Sequence, residues 1–247
     1  MPILNDGSMD QQALPTGQYG YSATRLDDLG AAEYTLVTIV TDVSPSVSPW
    51  IKEMEGALRE IVNACRQSPR ADNLMIRLVT FSSVLDEVHG FKLLEQCRLD
   101  DYRKVLRVGS ATALYDAAEN SASALAGYGK QLTDADFGVN GILFVITDGE
   151  DNASTYGVKH VRDAFQRAIQ SESLESLVSV LIGVNVRDRK IGAYLQDFKN
   201  EAGFTQYVEL DQANAKALAK LAQFVSRSIS AQSQALGTGG SSQLLGF

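Results

Sequence analysis

This sequence predicts an α/β fold: a doubly wound, mostly parallel six-stranded sheet with one antiparallel edge strand and helices on both faces. Three observations lead to it. Tyr34–Thr41 (YTLVTIVT), Val139–Thr147 and Leu177–Val184 (LVSVLIGV) are almost continuously apolar runs of strand length, the pattern that burial on both faces of a parallel sheet produces. Segments with apolar residues at helical spacing separate these runs, so strands and helices alternate as in consecutive βαβ units. Leu74, Ile76 and Leu78, followed by residues 80–88, instead alternate as two strands around a tight turn at Ser82 and Ser83, which supplies the antiparallel edge.

In chain order, residues 1–33 are polar and contain glycine, and they read as an extension that wraps the domain or stays mobile. The domain itself spans 34–232. Trp50, Met54, Leu58, Ile61 and Cys65 recur at helical spacing behind Ser48 and Pro49, a cap and a first-turn residue, so a helix is expected over 49–66. Residues 90–108 read as a polar connector, 113–126 as a helix and 139–147 as a central strand. A helix over 158–169, a strand over 177–184, a helix over 191–202, a short strand over 205–210 and a closing helix over 213–231 complete the domain. The Gly/Ser-rich tail, 233–247, is flexible unless Leu244, Leu245 or Phe247 docks.

With 247 residues and 45% hydrophobic content, the chain can bury a full core. A net charge of −8 argues against a surface that neutralises nucleic-acid phosphates. Cys65 and Cys97 are the only cysteines, too few for a disulfide framework, and read as reduced core thiols. The N-terminus lacks the charged and apolar regions of a secretory signal, and no stretch reaches the ~20 apolar residues of a membrane span. A bacterial or phage cytoplasmic setting is the expectation.

Asp42, Ser44 and Ser46 follow the first apolar run as Asp-Val-Ser-Pro-Ser. One carboxylate and two hydroxyls thus sit where a buried strand ends and a helix begins. Hard oxygens in a turn suit a small divalent cation, since Mg²⁺ takes near-octahedral oxygens at roughly 2.0–2.1 Å. Thr112 lies in the Gly/Ser turn GSATA, and Asp148-Gly149 caps a later apolar run. In a doubly wound sheet, loops at the carboxyl ends of strands meet at a topological switch point, so all three segments can converge there.

In these residues the chain resembles the von Willebrand factor A (vWA) family, with its Rossmann-like sheet and its metal-ion-dependent adhesion site (MIDAS). That family's Asp-x-Ser-x-Ser, lone Thr and Asp-Gly match Asp42, Ser44, Ser46, Thr112 and Asp148 over a resemblance spanning about 34–230. The resemblance implies that Ser44, Ser46 and Thr112 give hydroxyl oxygens to Mg²⁺ or Mn²⁺. It implies also that Asp42 and Asp148 act through bound water or exchange into direct contact, and that a Glu or Asp of a partner protein fills the open position. Intracellular relatives work beside AAA+ ATPases or in stress-response and defence systems, so a partner of that kind is implied. The expected function is an adaptor that binds a partner and does not catalyse.

Alternatives exist for each part. Ser44 and Ser46 alone could be helix caps, and Asp148-Gly149 a common turn. A metal-dependent phosphoesterase would use Asp42 as nucleophile, but Ser44 stands where such an enzyme has an acid, and the chain shows no Ser-His-Asp set or phosphate-cradling loop. A structural or assembly protein of a phage or secretion-like particle could use the same site as a joint. Glu150, Asp151 and Asn152 read as a solvated loop, Asp116 as a tie between loops, Ser110 as a rim hydroxyl and Trp50 as core near the site. His89 and His160 read as surface or capping residues.

Overall fold

The computed structural model describes residues 9–14, 19–170, 173–242 and 244–247. Its strands are β1 (Met9–Ala13), β2 (Gly20–Thr24), β3 (Glu33–Asp42), β4 (Leu74–Phe81), β5 (Leu85–Leu93), β6 (Gly138–Thr147), β7 (Ser176–Val184) and β8 (Gln206–Leu210). The α-helices are α1 (Ile51–Arg66), α2 (Leu114–Asp134), α3 (Val158–Gln170), α4 (Arg189–Ala202) and α5 (Ala215–Thr238). All strands join one sheet in the order β1-β2-β5-β4-β3-β6-β7-β8. β4, β3, β6, β7 and β8 run parallel, while β5 is antiparallel to β4.

Residues along the central strands alternate between two cores, because successive side chains on a strand point to opposite faces. Val37 and Ile39 of β3 join Met54, Leu58 and Ile61 of α1 and Leu221 and Val225 of α5. Leu36 and Val40 face the other way, among Leu114 and Leu125 of α2, Phe165 of α3 and Phe198 of α4. The chain leaves β3 through α1 toward β4, then returns to pair β6 on the other side of β3. This reversal puts a crevice at the carboxyl ends of β3 and β6.

The α/β class, the mostly parallel sheet and the two helical layers match the expectation, but the sheet has eight strands rather than six. The two extra ones, β1 and β2, come from the N-terminal extension; residues 1–8 and 15–18 of that extension lie outside the described residues. β1 pairs antiparallel with β2, and Ala23 of β2 lies opposite Phe91 of β5. The connector expected over 90–108 is in part a strand: β5 continues through Gly90 to Leu93, and Phe91, Leu94, Cys97 and Tyr102 are buried. Gly90 sits inside the strand because the neighbouring backbone approaches it closely. A Cβ there would meet the Ser22 carbonyl oxygen at 1.9 Å.

The closing helix runs seven residues beyond the expected Ala231, to Thr238, and ends on Gly239 in the left-handed conformation, φ 64°. Beyond it the tail docks. Gln206 donates from Nε2 to the Leu245 carbonyl at 3.0 Å, and the Phe247 ring meets Phe224 edge-on at 5.5 Å. His89 is also corrected: it is 1% exposed, with its ring nitrogens 2.9 Å from the Gly90 carbonyl and 2.9 Å from the Tyr102 hydroxyl. Burial pushes its pKa down to about 4. Trp50, Cys65 and Cys97 lie in the core. Among the described residues, no helix is long and apolar enough to cross a membrane.

Candidate metal centre

Asp42 ends β3, Asp148 follows β6, Ser44 caps a 3₁₀ segment, Pro45–Trp50, that leads into α1, and Ser46 is the second residue of that segment. The Asp42 carboxylate is 1% exposed and engaged at both oxygens. Oδ1 accepts the Ser44 N–H at 2.7 Å, and Oδ2 accepts the Thr147 hydroxyl at 2.7 Å. The Ser44 and Ser46 hydroxyl oxygens lie 3.0 Å apart, and Ser46 donates to Asp148 Oδ1 at 2.7 Å. Four of the five residues therefore form one chain of polar contacts.

Thr112 enters through its backbone. Its N–H donates to Asn152 Oδ1 at 2.8 Å, and its carbonyl accepts the N–H groups of Asn152 at 2.9 Å and Ala153 at 3.1 Å. The loop before it is tied to the Asp42 turn, because Gly109 donates its N–H to the Val43 carbonyl at 2.7 Å. Gly109 is required here, since a Cβ would lie 2.1 Å from Ser82 Oγ. Ala113 donates to the Ser82 carbonyl at 2.6 Å, which closes the loop against the end of β4. Thr112 is 5% exposed, and its hydroxyl makes no hydrogen bond among the described residues.

Asp116 joins the loops, as its position four residues past Thr112 suggests: Oδ2 accepts the Thr155 N–H at 3.0 Å and Oδ1 accepts that of Tyr156 at 2.8 Å. Ser110 bonds Ser83 across the rim at 2.8 Å. The segment after Asp148 is more than a solvated loop. Asp151 accepts the Tyr115 N–H at 3.3 Å and the Ser154 hydroxyl, and its own N–H donates to the Tyr194 hydroxyl at 3.1 Å. Sequence reasoning missed Thr147 and Asn152 as braces. Their positions, directly before Asp148 and within the loop after it, were the available signal.

Two carboxylates are buried side by side at this crevice. Burial, reinforced by the nearby Asp42 charge, pushes the Asp148 pKa up to about 6 against the opposing Ser46 hydrogen bond, and burial also raises that of Asp42. Neither carboxylate has an ion-pair partner among the described residues. No group of three His, Cys, Asp or Glu side chains gathers for a metal among them, so any ion here would rest on hydroxyls and two carboxylates. The 3.0 Å between Ser44 Oγ and Ser46 Oγ fits that donor set, because adjacent oxygens of an octahedron with roughly 2.1 Å bonds lie about 3 Å apart.

The sequence matches no family model and has no significant match among curated proteins. Solved structures do share its fold. The PilB minor pilin from Streptococcus sanguinis is similar with a TM-score of 0.59 and 15% identity over 89% of this chain and 66% of that one. Proximal thread matrix protein 1 from the mussel byssus, with a zinc-occupied MIDAS motif, is similar with a TM-score of 0.53 and 18% identity over 81% of this chain and 46% of that one. The ArnB paralog VWA2 from Sulfolobus acidocaldarius aligns with a TM-score of 0.50 and 12% identity over 85% and 48%. The chain thus spans less than two thirds of each of these proteins. Its architecture is von Willebrand factor A-like, an eight-stranded, mostly parallel sheet between two helical layers.

Proposed function

We propose that this chain is a metal-dependent protein-interaction module. In this reading Ser44, Ser46 and Thr112 offer hydroxyl oxygens to Mg²⁺ or Mn²⁺, and Asp42 and Asp148 hold it through water or by direct contact. A bound divalent ion supplies an electrophile able to accept a Glu or Asp carboxylate from a partner. The observation that carries the reading is the Ser44–Ser46 oxygen pair, 3.0 Å apart and joined to the unpaired Asp148 carboxylate. Buried like charges without a cation are costly, and a metal relieves that cost.

Catalysis is not part of the proposal. The Asp42 oxygens are both engaged and the group is buried, which suits a positioning residue better than the free nucleophile a phosphoesterase needs. The family resemblance favours a cytoplasmic adaptor beside an AAA+ ATPase or a stress-response or defence component. A second reading puts the same module at a cell surface, because the pilin is among its fold neighbours.

The test is capture of binding proteins on immobilised chain with Mg²⁺ and with EDTA, in parallel with Thr112→Ala. A partner retained only with Mg²⁺ and lost in the variant is expected. Retention that is equal in EDTA would overturn the reading. Fractionation of the source cells then decides between the cytoplasmic and surface settings.

A further inference from the structure

The segment leading into the Thr112 loop has the opposite charge sign to the chain. Net charge is −8, yet residues 103–108 read Arg-Lys-Val-Leu-Arg-Val. The stretch is anchored at its start, where Arg103 donates its N–H to the Asp100 carbonyl at 3.1 Å, in its middle and just beyond its end. Leu106 is buried and donates its N–H to Glu55 Oε1 at 3.2 Å, and Gly109 bonds the carbonyl of Val43, the residue between Asp42 and Ser44, at 2.7 Å. Arg107 precedes Gly109 by two residues, so its backbone lies within roughly 7 Å of that anchor.

Two of the three charges on this segment form no ion pair among the described residues. Arg103 pairs with Asp100 at 3.0 Å, whereas the exposed Lys104 and Arg107 take part in no ion pair among the described residues. Lys104 also holds φ at 54°, a left-handed conformation that strains a non-glycine residue and is concentrated at functional sites.

We propose that Lys104 and Arg107 form a second subsite, for another carboxylate of the acidic partner. The inference rests on the metal reading above and deepens it: the partner presents two acidic side chains two residues apart in an extended segment, about 7 Å between them. One occupies the open metal position. The other meets the exposed cations on the anchored strap, which explains how a chain with net charge −8 attracts an acidic ligand at this face.

The probes are two labelled peptides in a Gly/Ser background, one with two Glu residues separated by one residue and one with the same two Glu separated by eight. The second controls for the doubled chance of metal engagement. With saturating Mn²⁺ and about 50 mM salt, fluorescence anisotropy should show the closely spaced peptide binding wild type about 3- to 5-fold tighter, the range expected of exposed charge pairs. That ratio should fall toward one in the Lys104→Gln/Arg107→Gln double variant, and in wild type at about 0.5 M salt. Equal affinities for the two peptides in wild type, with both released by EDTA, would overturn the subsite and leave the metal reading standing, as would a ratio that survives in the double variant. Binding of neither peptide with Mn²⁺, or of both in EDTA, would overturn the metal reading and the subsite with it.

Discussion

Asp148 and His89 titrate in the same pH range with opposite consequences, because burial acts on groups of opposite charge type. Asp148 keeps its proton up to about pH 6 in the metal-free fold, against 3.8 ordinarily. Its contribution to stability is therefore fully present below about pH 3.8 and is lost as pH rises through 6. A bound cation should relieve this penalty, so Mg²⁺ or Mn²⁺ is expected to raise the melting temperature more at pH 7 than at pH 5, where protons compete for the ligand. Thermal melts at both pH values check this, and Asp42→Ala should abolish the shift. An unchanged metal affinity in that variant would remove Asp42 from the site. His89 runs the other way, since its pKa falls from 6.5 to about 4 on folding. Its stabilising effect is present above pH 6.5 and is lost as pH falls toward 4, by about 3 kcal/mol in full. Gln at position 89 preserves the hydrogen bonding toward Tyr102 but cannot titrate. The difference in unfolding free energy between His89→Gln and wild type, both in EDTA, should therefore shift in the variant's favour between pH 7 and pH 4.5.

At the scale of elements, what could be read from the chain depended on where the stabilising partner lies. β3, β6 and β7 are flanked on both faces by helices, so their residues had to be apolar, and the pattern showed it. β1, Met-Asp-Gln-Gln-Ala, and β2, Gly-Tyr-Ser-Ala-Thr, carry no such signal, because their strand conformation comes from pairing at a sheet edge. The same distinction holds in the site. Asp42, Ser44 and Ser46 announce themselves by spacing, whereas Thr147 bonds Asp42 across 105 residues and Asn152 bonds Thr112 across 40, contacts that only the fold creates. The tail is a third case: Phe247 packs on Phe224, with Lys220 Nζ 4.1 Å from its ring centroid, and Ser242 bonds Ser176 at 2.7 Å. Aromatic and cation–π contacts of this kind contribute about 1–2 kcal/mol together. Phe247→Ala should thus lower stability by about that amount and speed hydrogen exchange in α5, where an undocked tail would leave both unchanged.

For the whole molecule, the N-terminal strands decide whether this side of the sheet ends at the polar β1 or at β5, which carries the buried Phe91. Ser22 gives both its N–H, at 3.0 Å, and its hydroxyl, at 2.8 Å, to Glu87, whose other oxygen takes the buried Arg77 Nε at 2.6 Å. Thr24 donates to the Phe91 carbonyl at 2.9 Å and accepts from the Tyr128 hydroxyl at 2.7 Å, while the rings of Phe91 and Tyr128 stack at 5.3 Å. Removing residues 1–24 would strip these partners from Glu87 and Tyr128, uncover Phe91 and leave β5 as a bare edge with unpaired backbone groups. Lost packing and orphaned buried polar groups of this extent cost on the order of 3 kcal/mol or more, and a bare apolar edge invites intermolecular pairing. The truncated chain should melt earlier and scatter light at concentrations where the full chain stays clear. The candidate metal loops lie across the sheet at β3 and β6, so under the metal reading the soluble fraction of the truncated protein should still show metal-dependent stabilisation. Melting equal to that of the full chain would make β1 and β2 an accessory flap, and loss of metal binding with an otherwise intact fold would mean that this edge helps to hold the site.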